Sequence, residues 1–260
     1  MMNIPILCFL LLISSLQCNA MPLTTHGFHN ERELIYHGGP TLTNARIFVI
    51  YWGDVPEAAK LSNFYCYISK SQLFTNLKEY GINHGNFIGD YTINDSTETK
   101  FIYDFQIRAK LLDLIESGQI IQPDDNTYFA IHFATSIQSI RGPSGLESCK
   151  YGGYCAYHST FIQSNGKFIY YGVIPAQNNL CATHCGTSSD PFDNLTGVSS
   201  HELVETVTDP AIGVASTLGH PIAWYDPFAG EAVDICNGQT GKIGNYTVQK
   251  FWSNKRRLCI

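Results

Sequence analysis

The chain has 260 residues, of which 44% are apolar and 13% aromatic, enough for a sizeable buried core in one generous domain. Its net charge of -6 is spread along the sequence, so it lacks the basic footprint that a nucleic-acid partner needs. No Pro/Ser linker, internal repeat or low-complexity tract divides the body of the chain, which reads as a single α+β (mixed α/β) domain.

Residues 1–20 carry no charge, run through an apolar stretch from Ile4 to Ile13 and close on Cys18-Asn19-Ala20, whose small end residues suit a signal peptidase. The expectation is a secretory signal cleaved after Ala20, with residues 21–260 forming one secreted domain. The apolar run is too short to span a bilayer comfortably, so no stable membrane insertion is expected after cleavage. Arg46–Trp52 (Arg-Ile-Phe-Val-Ile-Tyr-Trp) is β-branched and aromatic, ends at Gly53-Asp54, and reads as a buried strand. Glu57 to Lys70 and Ser71 to Tyr80 read as helices. Tyr103 to Ser117 places Phe105, Ile107, Leu111, Leu112 and Ile115 at helical spacing before Gly118, an amphipathic helix whose stripe should pack on the sheet. Thr127–Phe133 and Lys167–Ile174 are two further strands. Strands alternating with helices imply a mixed sheet flanked by helices.

His132 falls on a strongly apolar strand and reads as a core histidine, because site residues concentrate in loops and at element ends. His158, in Cys155-Ala156-Tyr157-His158-Ser159, lies between a cysteine loop and a strand, a place from which a side chain can reach a cleft. His184 reads as an exposed loop residue. In an exported chain the cysteines at 66, 149, 155, 181, 185, 236 and 259 should form disulfides, and loop proximity pairs Cys149 with Cys155, Cys181 with Cys185 and Cys236 with Cys259, leaving Cys66 over. Sequons at Asn94, Asn194 and Asn245 fit a glycosylated surface.

The most chemical stretch is Ser199-Ser200-His201-Glu202-Leu203-Val204-Glu205-Thr206-Val207-Thr208-Asp209-Pro210. Residues i and i+4 share a helix face, so His201 and Glu205 can hold one divalent metal between them, with Glu202 alongside as general base. This is the zincin layout with Glu in place of the second His. Asn194 or Thr196 is a candidate cap, Val198, Leu203 and Val207 form the apolar stripe, and Pro210 stops the helix near Thr208. Asp209 lies ~12 Å along the axis from His201 and suits turn closure or support of the ligands. The third ligand must come from the returning chain, where Glu231 and Asp226 compete and Asp234 can orient the motif histidine. Tyr225 or His158 is placed to hydrogen-bond a developing oxyanion. One histidine with two carboxylates suits Zn, and equally the oxygen-loving Ca or Mn.

Several blocks in the same order resemble the EXORDIUM-like, phosphate-induced family of secreted proteins: Tyr36-His37-Gly38-Gly39-Pro40 leading into Ile47–Gly53, Cys155-Ala156-Tyr157-His158-Ser159, and Thr208-Asp209-Pro210 with Trp224-Tyr225, Glu231 and Cys236. The chain also resembles a microbial branch with Ser-His-Glu-Leu, Thr-Asp-Pro, Ala-Trp-Tyr-Asp, Gly-Glu and Val-Gln-x-x-Trp-Ser-Asn blocks, the last here at Val248–Asn254. The resemblance implies an extracellular or cell-wall protein. Its plant members are linked to growth promotion, without an established enzymatic activity, and lack the His-Glu pair at the corresponding helix. Two functions therefore stand side by side: a secreted metal-dependent hydrolase, a zincin-like peptidase with a peptide or cell-wall substrate, and a non-catalytic extracellular binding or signalling protein. A carbohydrate-binding aromatic surface is a third reading.

Overall fold

Two faces of Arg46–Trp52 are buried at once. Ile47, Val49 and Tyr51 enter one apolar cluster, and Phe48, Ile50 and Trp52 enter another on the opposite side. Such a strand must lie inside a sheet covered on both faces, which is why it reads as a continuous apolar run. The computed structural model describes residues 32–94, 100–215, 219 and 221–260. The segment read as a secretory signal, residues 1–20, lies outside the described residues, as do His26, His29 and the last two residues of the first sequon.

The chain runs β1 (Ile35–Tyr36), β2 (Arg46–Trp52), α1 (Ala58–Ile68), α2 (Gln72–Asn76), β3 (Asn86–Ile93), β4 (Phe101–Tyr103), α3 (Asp104–Glu116), β5 (Thr127–Phe133), β6 (Ser139–Arg141), β7 (Tyr157–Ile162), β8 (Phe168–Ile174) and α4 (Pro191–Thr208). The last stretch adds β9 (Trp224–Tyr225), β10 (Thr240–Ile243), β11 (Tyr246–Gln249), β12 (Trp252–Ser253) and β13 (Leu258–Cys259). The main sheet has order β3-β2-β5-β8-β7, parallel except for β7, which runs antiparallel to β8 at one edge. This is an α+β domain with a mixed sheet. Among the described residues no helix is long and apolar enough to cross a membrane.

α3 covers one face through Ile107, Leu111, Leu114 and Ile115. α1 and α4 cover the other, α4 burying Leu203, Val204 and Val207 completely. Each such side chain contributes ~1.5–3 kcal/mol, so packing holds this Thr- and Val-rich helix against its modest intrinsic propensity. α4 begins earlier than its sequence suggests. Asp190 accepts from Phe192 N and Pro191 takes the first turn, a cap followed by a proline whose missing N–H costs nothing there. Asn194 is instead buried, bonded to Ser188 N and O through its amide. That removes it both as a cap and as a glycosylation acceptor, whereas Asn245 is exposed in the β10–β11 turn.

The His-Gly-Gly-Pro block has a steric cause. β1 pairs antiparallel with β9, and His37 N and Gly39 N donate to Ala223 O and Ile222 O. A side chain at Gly39 would run into the Pro221 carbonyl, so only glycine allows this approach. The edge of β7 is closed by a short 3-10 turn, Ile212–Val214, where Gly213 sits directly on Ser159 and Thr160 and Thr160 Oγ1 donates to Pro210 O.

Of the three disulfides among the described residues, two cross rather than closing short loops. Cys149 bonds Cys181 and Cys155 bonds Cys185, and only Cys236–Cys259 follows loop proximity. The turn around Tyr151 and Gly152 folds back against residues 181–185, so the nearest thiols in space are not the nearest in sequence. Cys66 is free and exposed. His132 is fully buried on β5, its Nε2 3.0 Å from the Tyr65 hydroxyl, and His184 is an exposed loop residue.

Candidate metal centre

α4, β7 and the segment 231–234 meet where α4 crosses the β8–β7 end of the sheet. α4 turns His201 and Glu205 toward one another, Nε2 to Oε2 at 3.0 Å, as the i,i+4 spacing requires. β7 brings His158 in from the sheet. Its Nδ1 lies 3.4 Å from Glu202 Oε2 and 3.6 Å from Glu205 Oε2, and its Nε2 lies 3.3 Å from Glu231 Oε1. Asp234 opens a 3-10 turn, Asp234–Cys236, with Oδ1 3.6 Å from His201 Nε2 and its own N–H donated to Glu205 Oε1. Glu231 and Asp234 therefore come from a loop and a single turn, without the downstream helix that a zincin-like layout suggests.

Among the described residues the donors that could hold a metal ion form two overlapping trios. His158, Glu202 and Glu205 are all buried; His201, Glu205 and Asp234 open toward solvent. Among the described residues the ion pairs of Glu202, Glu205, Glu231 and Asp234 are all to the two histidines. A buried group of this charge must be matched by protons or by a cation, since uncompensated buried charge is expensive.

The protonation pattern reflects that demand. For His201, burial opposes the charged form, but Glu205, with Glu202 and Asp234, outweighs it and raises the imidazole to about 10. His158 is likewise held well above its usual value, burial being overcome by Glu231, Glu202 and Glu205. Glu205 titrates low: burial pushes it up, but the two histidines pull it further down. Glu231 moves the other way, raised by burial, offset in part by His158, and raised again by Glu205 and Asp209. Asp234 rises to about 6 through burial and Glu205. A cation binding here would displace protons from these groups.

Each imidazole is held from behind. His201 Nδ1 lies 3.1 Å from Gln249 Oε1, an acceptor, so Nδ1 carries hydrogen and Nε2 faces Glu205 and Asp234. Gln249 is fixed in turn by its N–H to Ser200 Oγ and its amide to Asn237. His158 Nε2 faces two acceptors, the Asp209 carbonyl at 3.4 Å and Glu231, which leaves Nδ1 toward Glu202 and Glu205. An acceptor behind a histidine fixes its tautomer and aims the other nitrogen, as in metal-binding histidines.

The sequence assigns Asp226 a place among the ligands, but the fold turns it away: Oδ2 accepts from Glu33 N and Oδ1 from Phe228 N and Ala229 N, closing the β9 turn. Asp209 caps the end of α4, accepting from Ala223 N, while its second oxygen is buried without a hydrogen-bond partner and its carboxyl is raised to about 6 by burial. Tyr225 is half-buried on β9, its phenol raised by burial and by Glu231, Asp234, Asp209 and Asp226. It does not line the adjoining cleft. His158 is too deeply buried to meet a substrate oxyanion and faces the acids instead. Gln249 is the participant that the sequence conceals; its only signal is its position inside the Val-Gln-x-x-Trp-Ser-Asn block.

A cleft of about 590 Å³ opens onto the outer trio. His201, Glu202, Asp234 and Gln249 line its floor side, and Tyr154, Cys155 and His184 of the disulfide-tied loops line another. No family model, curated protein or solved structure matches the chain.

Proposed function

We propose that this chain is a secreted, divalent-metal-dependent hydrolase, a zincin-like peptidase whose ion is held by His201, Glu205 and Asp234 at the cleft. The observation that carries the reading is the outer trio itself: one aimed imidazole and two carboxylates within 4.8 Å of one another, beside a cleft large enough for a peptide segment. A zinc ion bound there would supply Lewis acidity, polarising a scissile carbonyl and lowering the pKa of an attacking water. Glu202 lines the same cleft and accepts the proton that the water gives up. Gln249 keeps the His201 ring in register. Secretion is supported by the crossed disulfides and by the leader-like residues 1–20.

The test is zinc-loaded protein incubated with a peptide library and with cell-wall material, with products read by mass spectrometry. Cleavage that disappears on chelation and in Glu202→Gln supports the proposal. A folded, zinc-loaded protein that cleaves neither class of substrate favours the non-catalytic extracellular reading.

A further inference from the structure

We infer that the centre holds two divalent cations, an outer one at the cleft and an inner one behind it, bridged by Glu205. The inference rests on the metal-site reading above and deepens it. The donors do not converge on a single point. Among the described residues they sort into His201–Glu205–Asp234 and His158–Glu202–Glu205, with Glu205 the one member in common and the two histidines in different sets. Glu205 Oε2 lies 3.0 Å from His201 Nε2 and 3.6 Å from His158 Nδ1, so one carboxylate reaches both sets.

His158 supplies an independent indication. A buried core histidine needs only partners for its ring nitrogens, and His132 manages with one, the Tyr65 hydroxyl. His158 instead has acceptors on both edges: Glu231 and the Asp209 carbonyl at Nε2, and Glu202 and Glu205 at Nδ1. Its side chain is only 3% exposed. With Nε2 facing Glu231 and the Asp209 carbonyl, Nδ1 is the ring nitrogen left facing the two carboxylates. That repeats the Gln249–His201 arrangement one layer deeper. Among the described residues the ion pairs of Glu202, Glu205 and Asp234 are to the two histidines and to no Lys or Arg, so neither trio has a fixed cation of its own. The inner ion also gives Glu202 a share in holding metal in addition to accepting a proton.

Zinc stoichiometry decides the matter. Full-length mature protein is equilibrated with Zn2+, dialysed, and its metal counted by plasma mass spectrometry, alongside His158→Asn, His201→Asn and Glu202→Gln. Two equivalents in the wild type, falling to one in each variant, support the bridged pair. One equivalent in the wild type, lost in His201→Asn and kept in His158→Asn and Glu202→Gln, overturns the inner position and leaves the hydrolase reading standing. No retained zinc overturns both. Because His158→Asn is a buried change that can impair folding, Mn2+-loaded wild type is measured by electron paramagnetic resonance as well. A spin-coupled multiline signal supports the pair, and an isolated-ion spectrum at saturation overturns it.

Discussion

Replacing Glu205 by Gln removes the one charge that both histidines share while keeping the side chain's shape. Glu205 is 3% exposed and receives His201 at 3.0 Å, His158 at 3.6 Å and the Asp234 N–H at 3.2 Å. Removing one partner from a buried ion pair costs ~3–5 kcal/mol because the other charge stays buried. For a domain of this size each kcal/mol moves Tm by ~2–4 °C, so Glu205→Gln in chelator should melt ~6–20 °C below wild type. Zinc at a hundred times Kd should add ~2.7 kcal/mol, or ~5–11 °C, to the wild type alone. Differential scanning calorimetry at pH 7.5, with chelator and with ZnCl2, measures both effects. A Glu205→Gln protein that keeps the full zinc shift refutes the reasoning, because no other residue belongs to both donor trios.

Gln249→Leu should weaken zinc binding ~10–100-fold by freeing the His201 ring, and an unchanged Kd by competition with a chromophoric chelator would remove Gln249 from the site. His132 is buried neutral, its imidazole lowered by desolvation to about 3. Its unfolded form binds a proton near pH 6.5, so the stability it permits is present above that pH and is lost as pH falls toward 3. At pH 5 the loss is ~2 kcal/mol, and urea titrations at pH 7 and 5 should show a smaller difference by about that amount in His132→Phe. A slope unchanged by that substitution would place the acid sensitivity elsewhere. A non-reducing peptide map should link Cys149 to Cys181 and Cys155 to Cys185; adjacent pairing would contradict the folded loops.

The parts of the fold legible in sequence are those where burial writes one residue type along a whole element. β2 and β5 are continuous apolar runs because helices cover both sheet faces, and their ends match the reading residue for residue. α3 shows its stripe because only one face is buried, but Phe105, which spacing places in that stripe, is exposed and Leu114 takes part instead. β3 is hidden in the sequence: as an edge strand it is largely half-exposed, with Asn86, Gly89 and Asp90 diluting the pattern. The crossed disulfides depend on how two loops fold together, which spacing does not encode.

The site divides along the same line. His201, Glu202 and Glu205 were legible because their relation is local to one helix. Glu231 and Asp234 were legible as acids on the return path, though not their division of labour, since that depends on where a single 3-10 turn ends. His158 stands out in the sequence as a cleft residue, but β7 carries it inward, under α4, beyond the reach of sequence spacing. Asp226, attractive by position, is held by three backbone N–H groups. Gln249 comes from a hairpin strand with nothing to distinguish its amide until α4 is packed beside it.

Anomalous diffraction at the zinc edge from zinc-soaked crystals tests the central claim most directly. The account predicts a peak within bonding distance of His201 Nε2, Glu205 and Asp234 at the cleft floor. Crystals that bind zinc elsewhere, with these three side chains free of it at saturating metal, would contradict it.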